Sequence, residues 1–460
     1  MDRRMFLALL ATPAVIGAAS ALTGCSSDGA NTSSTTGTPS SDNSPPDTSS
    51  ASGVARSDKP RSAASPSDAA SATTSVNDFG VDLYRALTTG VGNATVDQSA
   101  PKKNLVVSPA SIAIALAMTR AGAKGTTATE MDTVLRVDRP DALAHSMNAL
   151  SSALDSRTRQ VTMPESKPVD VTLAIANSLW GQQGLAFETA FLDLLATEYG
   201  AGLQLVDYKA DPEGARKLIN AWVDDKTKQR IPNLLAQGTI TPDARLTLVN
   251  AIYMKAPWLN PFPPDATSAS NFTTIGGGVV LTPFMHLTEE LNYSKGDGWQ
   301  AVELPYVGND LSMVVVLPDD GIALGDGVAA VPSVAGLATQ RKVIVSMPTF
   351  DIETLTDLAT LLAAMGMPTA FSENADFSAM TTQEQLVIGA VIHQANITVD
   401  EKGTEAAAAT AVVMRATAAP VEQEPVTLSF DRPFVFAIRD NPTGAVLFLG
   451  HIGDPTETRS

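Results

Sequence analysis

The apolar positions of this 460-residue chain change spacing along its length. From Val76 to Leu87 they recur at helical spacing, and Ser108-Pro109 opens a second helical stretch with Ser as N-cap, Pro in the first turn and Gly122 near the end. Ile112, Ile114, Leu116 and Met118 leave that second helix without a polar face, so it must lie beneath other elements. Strand-like runs follow at Leu246 to Met254, Leu311 to Leu317, Val343 to Met347, Val426 to Phe430, Phe434 to Ile438 and Ala445 to Leu449. Helices gather in the N-terminal half and strands in the C-terminal half. The pattern predicts an α+β chain built round a large central sheet.

The N-terminus does not belong to that pattern. Arg3-Arg4 precede an apolar run from Met5 to about Leu22, which ends in Leu22-Thr23-Gly24-Cys25. This resembles a bacterial lipoprotein signal, in which the cysteine is lipidated and becomes the new N-terminus; the paired arginines also resemble a twin-arginine export signal. Pro13 and Gly17 interrupt the run and argue against a transmembrane helix. From Ser26 to Thr73 the chain is Ser, Thr, Ala, Asp and Pro with almost no large apolar residue, which predicts a disordered linker. The expected division is therefore 1–25 signal, 26–73 linker and 74–460 folded domain.

Composition narrows the function. A 44% hydrophobic chain of this length can bury a large core. The net charge of −18 argues against nucleic acid or an anionic lipid surface as partner. Cys25 is the single cysteine, so no intramolecular disulfide is expected and no thiol nucleophile is available. The four histidines (His145, His286, His393, His451) lie outside Gly-x-Ser-x-Gly, His-Glu-x-x-His and Cys-x-x-Cys contexts, so no catalytic residue, metal site or cofactor is expected. Gly122-Ala123-Lys124-Gly125-Thr126 follows a helix rather than a strand and reads as a helix end, not a phosphate loop.

Candidate chemistry concentrates near the C-terminus. Glu401-Lys402-Gly403-Thr404-Glu405-Ala406-Ala407-Ala408-Ala409-Thr410 has no bulky side chain. A segment that slides into a formed sheet buries alternate residues, which would be Thr404, Ala406, Ala408 and Thr410, all small, with Glu405, Ala407 and Ala409 outward and Gly403 as pivot. Taken alone, the run reads more simply as an exposed Ala-rich helix.

Several segments together resemble the serpin family over about residues 74–456. The hinge run above is joined by Ser108-Pro109-Ala110-Ser111-Ile112, by Leu248 to Lys255 with Trp258 and Pro261-Phe262, by Phe430-Asp431-Arg432-Pro433-Phe434-Val435-Phe436, and by Gly450-His451-Ile452. The resemblance implies the serpin fold, a monomer, no enzymatic activity, and an exposed loop from about Gly403 to Glu424 offered to a serine, or in second place a cysteine, protease. It implies that Ser108, Ser111, Asn250 and His393 form a polar cluster under the sheet's opening, with Trp258 at the loop's entry. The family's count of seventeen from Glu401 puts the scissile bond at Thr417-Ala418, which favours elastase-like or subtilisin-like proteases with shallow pockets. Arg415-Ala416 is the rival, implying a trypsin-like target, and Met414 or Ala416 remain open as the residue before the cut. Within the family the alternative is a non-inhibitory binding protein; outside it, an extracytoplasmic hydrolase or solute-binding lipoprotein. The expected location is extracytoplasmic, anchored through Cys25 or released.

Overall fold

The computed structural model describes residues 53–91, 103–163, 167–405 and 424–459. Among these the chain forms eight α-helices and seventeen strands, the strands all in two large sheets. The first sheet runs in the order β1 (Val54–Ala55), β5 (Leu203–Val206), β4 (Val169–Gln182), β6 (Leu246–Pro257), β14 (Gly403–Thr404), β13 (Ala390–Asp400) and β12 (Phe350–Asp357), with β3 (Arg159–Val161) beside β4. The second runs β15 (Val426–Ser429), β11 (Thr339–Pro348), β8 (Val279–Gly296), β9 (Trp299–Pro305), β10 (Leu311–Pro318), β16 (Phe434–Asp440), β17 (Val446–Ile452) and β2 (Asn104–Val107), with β7 (Ser268–Thr273) beside β8. The helices α1 (Ala70–Thr89), α2 (Pro109–Arg120), α3 (Gly125–Val134), α4 (Leu143–Asp155), α5 (Thr189–Tyr199) and α6 (Pro212–Lys226) all precede β6, and α7 (Leu324–Leu337) and α8 (Ala359–Met365) follow it. This is the α+β arrangement the hydrophobic pattern predicts, and each of its six strand runs lies in a strand or overlaps one by all but a terminal residue.

The helix without a polar face, α2, is buried along its whole apolar length and packs on β4, β6 and β17. It therefore sits between the two sheets. That position sets what its N-terminus can do, because the residues that begin it face the underside of the first sheet.

β6 and β13 pair directly and in parallel from Ala390↔Thr247 to Ala395↔Ile252. Above that stretch the strands separate, and β14 lies between them, antiparallel to both. The first sheet is thus closed along most of the β6–β13 seam and already holds an extra strand at one end. On the sheet's other face, Ile231, Leu234, Leu235 and Ile240, from the connection after α6, pack with Val249 and Ala251 of β6 and Ala390 and Ile392 of β13. Apolar contacts therefore bridge the seam.

One expectation needs correction. Residues 53–73 belong to the folded unit rather than to a disordered linker. β1 pairs antiparallel with the sheet's edge strand β5, and α1 begins at Ala70. The segment between them is held by polar contacts, which a reading based on hydrophobic content overlooks. The Arg61 guanidinium donates to Asn148 Oδ1 at 2.7 Å and pairs with Asp155 at 2.9 Å, the Ser62 amide donates to Thr197 O at 2.7 Å, and Asn148 Nδ2 donates to Ser62 O at 2.9 Å. Gly202 permits the close approach of this arm, since a Cβ there would stand 2.7 Å from Val54 Cγ1.

Arg61→Ala should therefore lower global stability by about 1–3 kcal/mol, the usual cost of losing a partly buried, charge-assisted hydrogen-bond set. Lys59→Ala, which removes an exposed pair to Asp193, should cost well under 1 kcal/mol. Denaturant unfolding of the two variants checks the contrast, and equal, negligible effects would show that the arm is not part of the fold.

Candidate functional site

Asn177 on β4, Asn250 on β6 and His393 on β13 stand in one row across the sheet, Asn177↔Asn250 and Asn250↔His393 being register partners. The N-terminus of α2 lies beneath this row. Ser108 caps the helix, its hydroxyl accepting from the Ser111 amide at 3.2 Å, and Pro109 occupies the first turn. The Ser108 backbone N–H donates to His393 Nε2 at 3.1 Å. An imidazole nitrogen that accepts cannot carry the proton, so the hydrogen sits on Nδ1 and is donated to Asn250 Oδ1. The Ser111 hydroxyl donates to Asn177 Oδ1 at 2.8 Å. Ser108, Ser111, Asn250 and His393 are thus brought together. Asn177 was missed, because nothing in the sequence separates it from any other strand asparagine.

The row is fully buried at its centre. Asn250 and His393 are 0% exposed. Burial pulls the His393 imidazole down to about 3, so it is neutral at ordinary pH. The row is also incompletely satisfied: Asn177 Nδ2 and Asn250 Nδ2 are buried donors with no acceptor. Each such group costs on the order of 1–3 kcal/mol.

The hinge forms the upper end of the site. The Trp258 indole stacks on Tyr306 at 4.4 Å, donates from Nε1 to Asp400 O at 2.9 Å, and its backbone amide donates to Lys402 O at 2.9 Å. Glu401 is held from the other side, by Thr267 Oγ1 donating to its carboxylate at 2.7 Å and by the Phe262 amide donating to its carbonyl at 2.9 Å. Asp400 turns the chain, accepting from the amides of Lys402 at 2.8 Å and Gly403 at 3.2 Å.

Gly403 is required there by close approach as well as by conformation. Its φ is 148°, and a Cβ would meet Ala256 O at 2.3 Å. Thr404 then enters the sheet, 1% exposed, with its hydroxyl 2.6 Å from the Tyr306 hydroxyl. Tyr306 is fully buried, and desolvation holds its phenol well above the ordinary range. At Glu405 the chain takes φ 51° while its amide still donates to Thr398 O at 3.2 Å; its carboxylate pairs with Arg230 at 3.0 Å. Ala406, Ala407, Ala408, Ala409 and Thr410 lie outside the described residues, as do Met414, Arg415, Ala416, Thr417 and Ala418 of the loop and Cys25 of the leader. Sequence reasoning also missed Tyr306, Arg230 and Asp400. Only Asp400 carries a local signal, an Asp three residues before a Gly.

A closed seam, a docked hinge and a buried polar row under the seam form one mechanical unit. The family model for serpin (serine protease inhibitor) matches residues 74–455. The chain belongs to the serpin family. An uncharacterised serpin-like protein of Thermococcus kodakarensis is 34% identical over 386 residues, 83% of this chain and 85% of that protein. The leukocyte elastase inhibitor of Bos taurus is 34% identical over 390 residues, 82% of this chain and 97% of that protein. Among solved structures, the thermophilic serpin tengpin in its native state superposes with a TM-score of 0.72 at 26% identity, covering 88% of this chain and all (100%) of the other. The family match begins at residue 74, so the arm of residues 53–73 lies outside it.

The neutral His393 gives this serpin a pH signature. The unfolded imidazole takes up a proton near pH 6.5, whereas the folded one resists to about 3. A depressed folded value means stability that is complete above pH 6.5 and is lost as pH falls toward 3, by roughly 5 kcal/mol in total. His393→Gln should flatten this part of the curve of unfolding free energy against pH, even while lowering stability at pH 7. Parallel curves for the two proteins would show that His393 is not held neutral.

Proposed function

We propose that this serpin is a suicide-substrate inhibitor of an extracytoplasmic serine protease, with cysteine proteases as the second target class. The observation that carries the proposal is the hinge: Gly403 and Thr404 already lie between β6 and β13, and every inward position as far as Thr410 is small. The protease acylates itself on the residue before the scissile bond. The freed segment then continues down the seam as a new strand of the first sheet, carrying the acyl-enzyme with it. Strand insertion from Glu405 to Thr417 spans on the order of 40 Å at about 3.3 Å per residue. Its backbone hydrogen bonds contribute on the order of 1 kcal/mol each, and the sum serves to distort the protease before it deacylates.

Thr417-Ala418 is the proposed bond, with an elastase-like or subtilisin-like target, and Arg415-Ala416 the rival with a trypsin-like one. The family's register supports the first. The lipobox at Cys25 supports a lipid-anchored head outside the cytoplasm, tethered by the Ser/Thr/Pro-rich residues that follow.

Incubation with a panel of serine proteases followed by a denaturing gel tests inhibition. A complex that survives boiling is expected; cleavage with no complex from any protease would make the protein a substrate and overturn the proposal. Mass spectrometry of the peptide released from the complex should find Ala418 as its first residue, and a start at Ala416 would assign Arg415 as the bait.

The insertion step has its own test. Thr404→Arg or Ala406→Arg places a guanidinium where the strand is buried, at a cost of several kcal/mol. Each variant should be cleaved but form little or no complex. Undiminished complex formation by both would exclude these positions from the sheet.

A further inference from the structure

The chain carries 49 acidic residues against 31 basic, yet one cleft in its folded head has four cations and, among the described residues, no carboxylate on its walls. This cleft of about 620 Å³ lies between the arm, the edge of the first sheet and α6, and Arg56, Lys59, Arg61 and Lys226 line it. The first three belong to the arm, which precedes the family match at residue 74. The cationic wall is therefore an addition to the family fold.

The space follows from small residues and from a ladder that starts late. β4 and β5 pair only from Leu179↔Leu203 onward, so Asn177 and Ser178 stand before the first rung. The chain entering β5 at that point is Gly200-Ala201-Gly202, which has almost no side chain to fill the gap. The arm borders it. Ala55 pairs with Leu203, which brings Arg56 beside Gly202, where a Cβ would lie 3.0 Å from Arg56 Cβ.

Two of the four cations are committed to the fold. Arg61 is held by Asn148 and Asp155, and Lys59 pairs with Asp193 at 2.9 Å. The other two are open to a ligand. Arg56 has no ion-pair or hydrogen-bond partner among the described residues. Lys226, in the last turn of α6, pairs with Asp225 at 3.3 Å, both ends being exposed, and such a pair contributes little. One turn before it Trp222 also lines the cleft, its ring packed edge-to-face on Trp180 at 6.0 Å. Two more lining residues, Tyr199 and Asn177, carry buried polar atoms without a partner, the phenol oxygen and the amide nitrogen.

The walls are thus rich in donors and positive charge and poor in acceptors. A phosphate ester brings three acceptor oxygens with its charge, and a guanidinium matches phosphate geometry with two parallel bonds. The volume lies within the roughly 300–1,000 Å³ of small-molecule sites. We propose that this cleft binds a small aromatic phosphate ester, its oxygens held by Arg56 and Lys226 and its ring placed against Trp222. The site does not depend on strand insertion.

Phenyl phosphate is the probe, its binding to the purified protein read by isothermal titration calorimetry and by tryptophan fluorescence. Saturable binding with one molecule per chain is expected, weaker binding of inorganic phosphate, and none of benzyl alcohol, which has the ring without the charge. Arg56→Gln and Lys226→Gln should each weaken binding about tenfold, the usual effect of losing a charge-assisted hydrogen bond. Trp222→Phe should abolish the fluorescence change. Lys217→Gln removes an exposed cation of α6 that does not line the cleft and should leave affinity unchanged. Both tested cations are on the surface, and unaltered melting of the variants confirms their fold. Absence of saturable binding, undiminished affinity in Arg56→Gln and Lys226→Gln, or an equal loss in Lys217→Gln would overturn the proposal. Sedimentation with phosphatidylglycerol vesicles without any binding of phenyl phosphate would overturn it too, by assigning these cations to a lipid surface.

Discussion

The bond from His393 Nδ1 to Asn250 Oδ1 is the interaction on which the rest of this structure depends. It crosses the seam between β6 and β13, two parallel strands that are far apart in the chain and are joined along a short ladder. The ladder is flanked by the α2 cap below and by the apolar cluster of the α6–β6 connection on the opposite face. Neither flank is ideal. Two asparagine amides beneath the seam lack acceptors, and Glu405 at its upper end is held in a left-handed conformation that costs a non-glycine residue on the order of 1 kcal/mol. The closed state thus carries unpaired groups at its centre and strain at its entry, features that support the proposed insertion.

In the proposed insertion the hinge and the polar row are two points on one path. At the upper end Gly403 and Thr404 fill the first positions between the strands, and the absence of a Cβ at Gly403 lets the chain pass Ala256. Trp258 and Tyr306 stack beneath that point, and the Tyr306 hydroxyl meets Thr404. Under the proposed insertion the next inward positions are Ala406 and Ala408, which lie outside the described residues and are small.

The elements legible in the sequence were those whose pattern matched their burial. α2 announced itself by lacking a polar face, and β6, β10 and β16 by runs in which apolar residues predominate. β13 did not, because His393, Gln394 and Asn396 interrupt its apolar residues. β8 was missed for a different reason: twelve of its 18 residues are wholly or partly exposed, so its apolar face is diluted. The arm of residues 53–73 was read as linker because it is held by Arg61, Ser62 and Asn148 rather than by apolar burial. In the site, residues with a local signature or a family pattern could be named in advance. Asn177, Tyr306 and Arg230 could not, since only the tertiary fold brings them to the row and the hinge.

The most direct test of strand insertion is the melting temperature of the folded head before and after a single verified cut in the segment 411–423. Insertion would extend two hydrogen-bonded ladders down the seam, so the cut protein should melt tens of degrees higher although its chain is broken. Equal or lower melting after cleavage would contradict insertion as the way this serpin works.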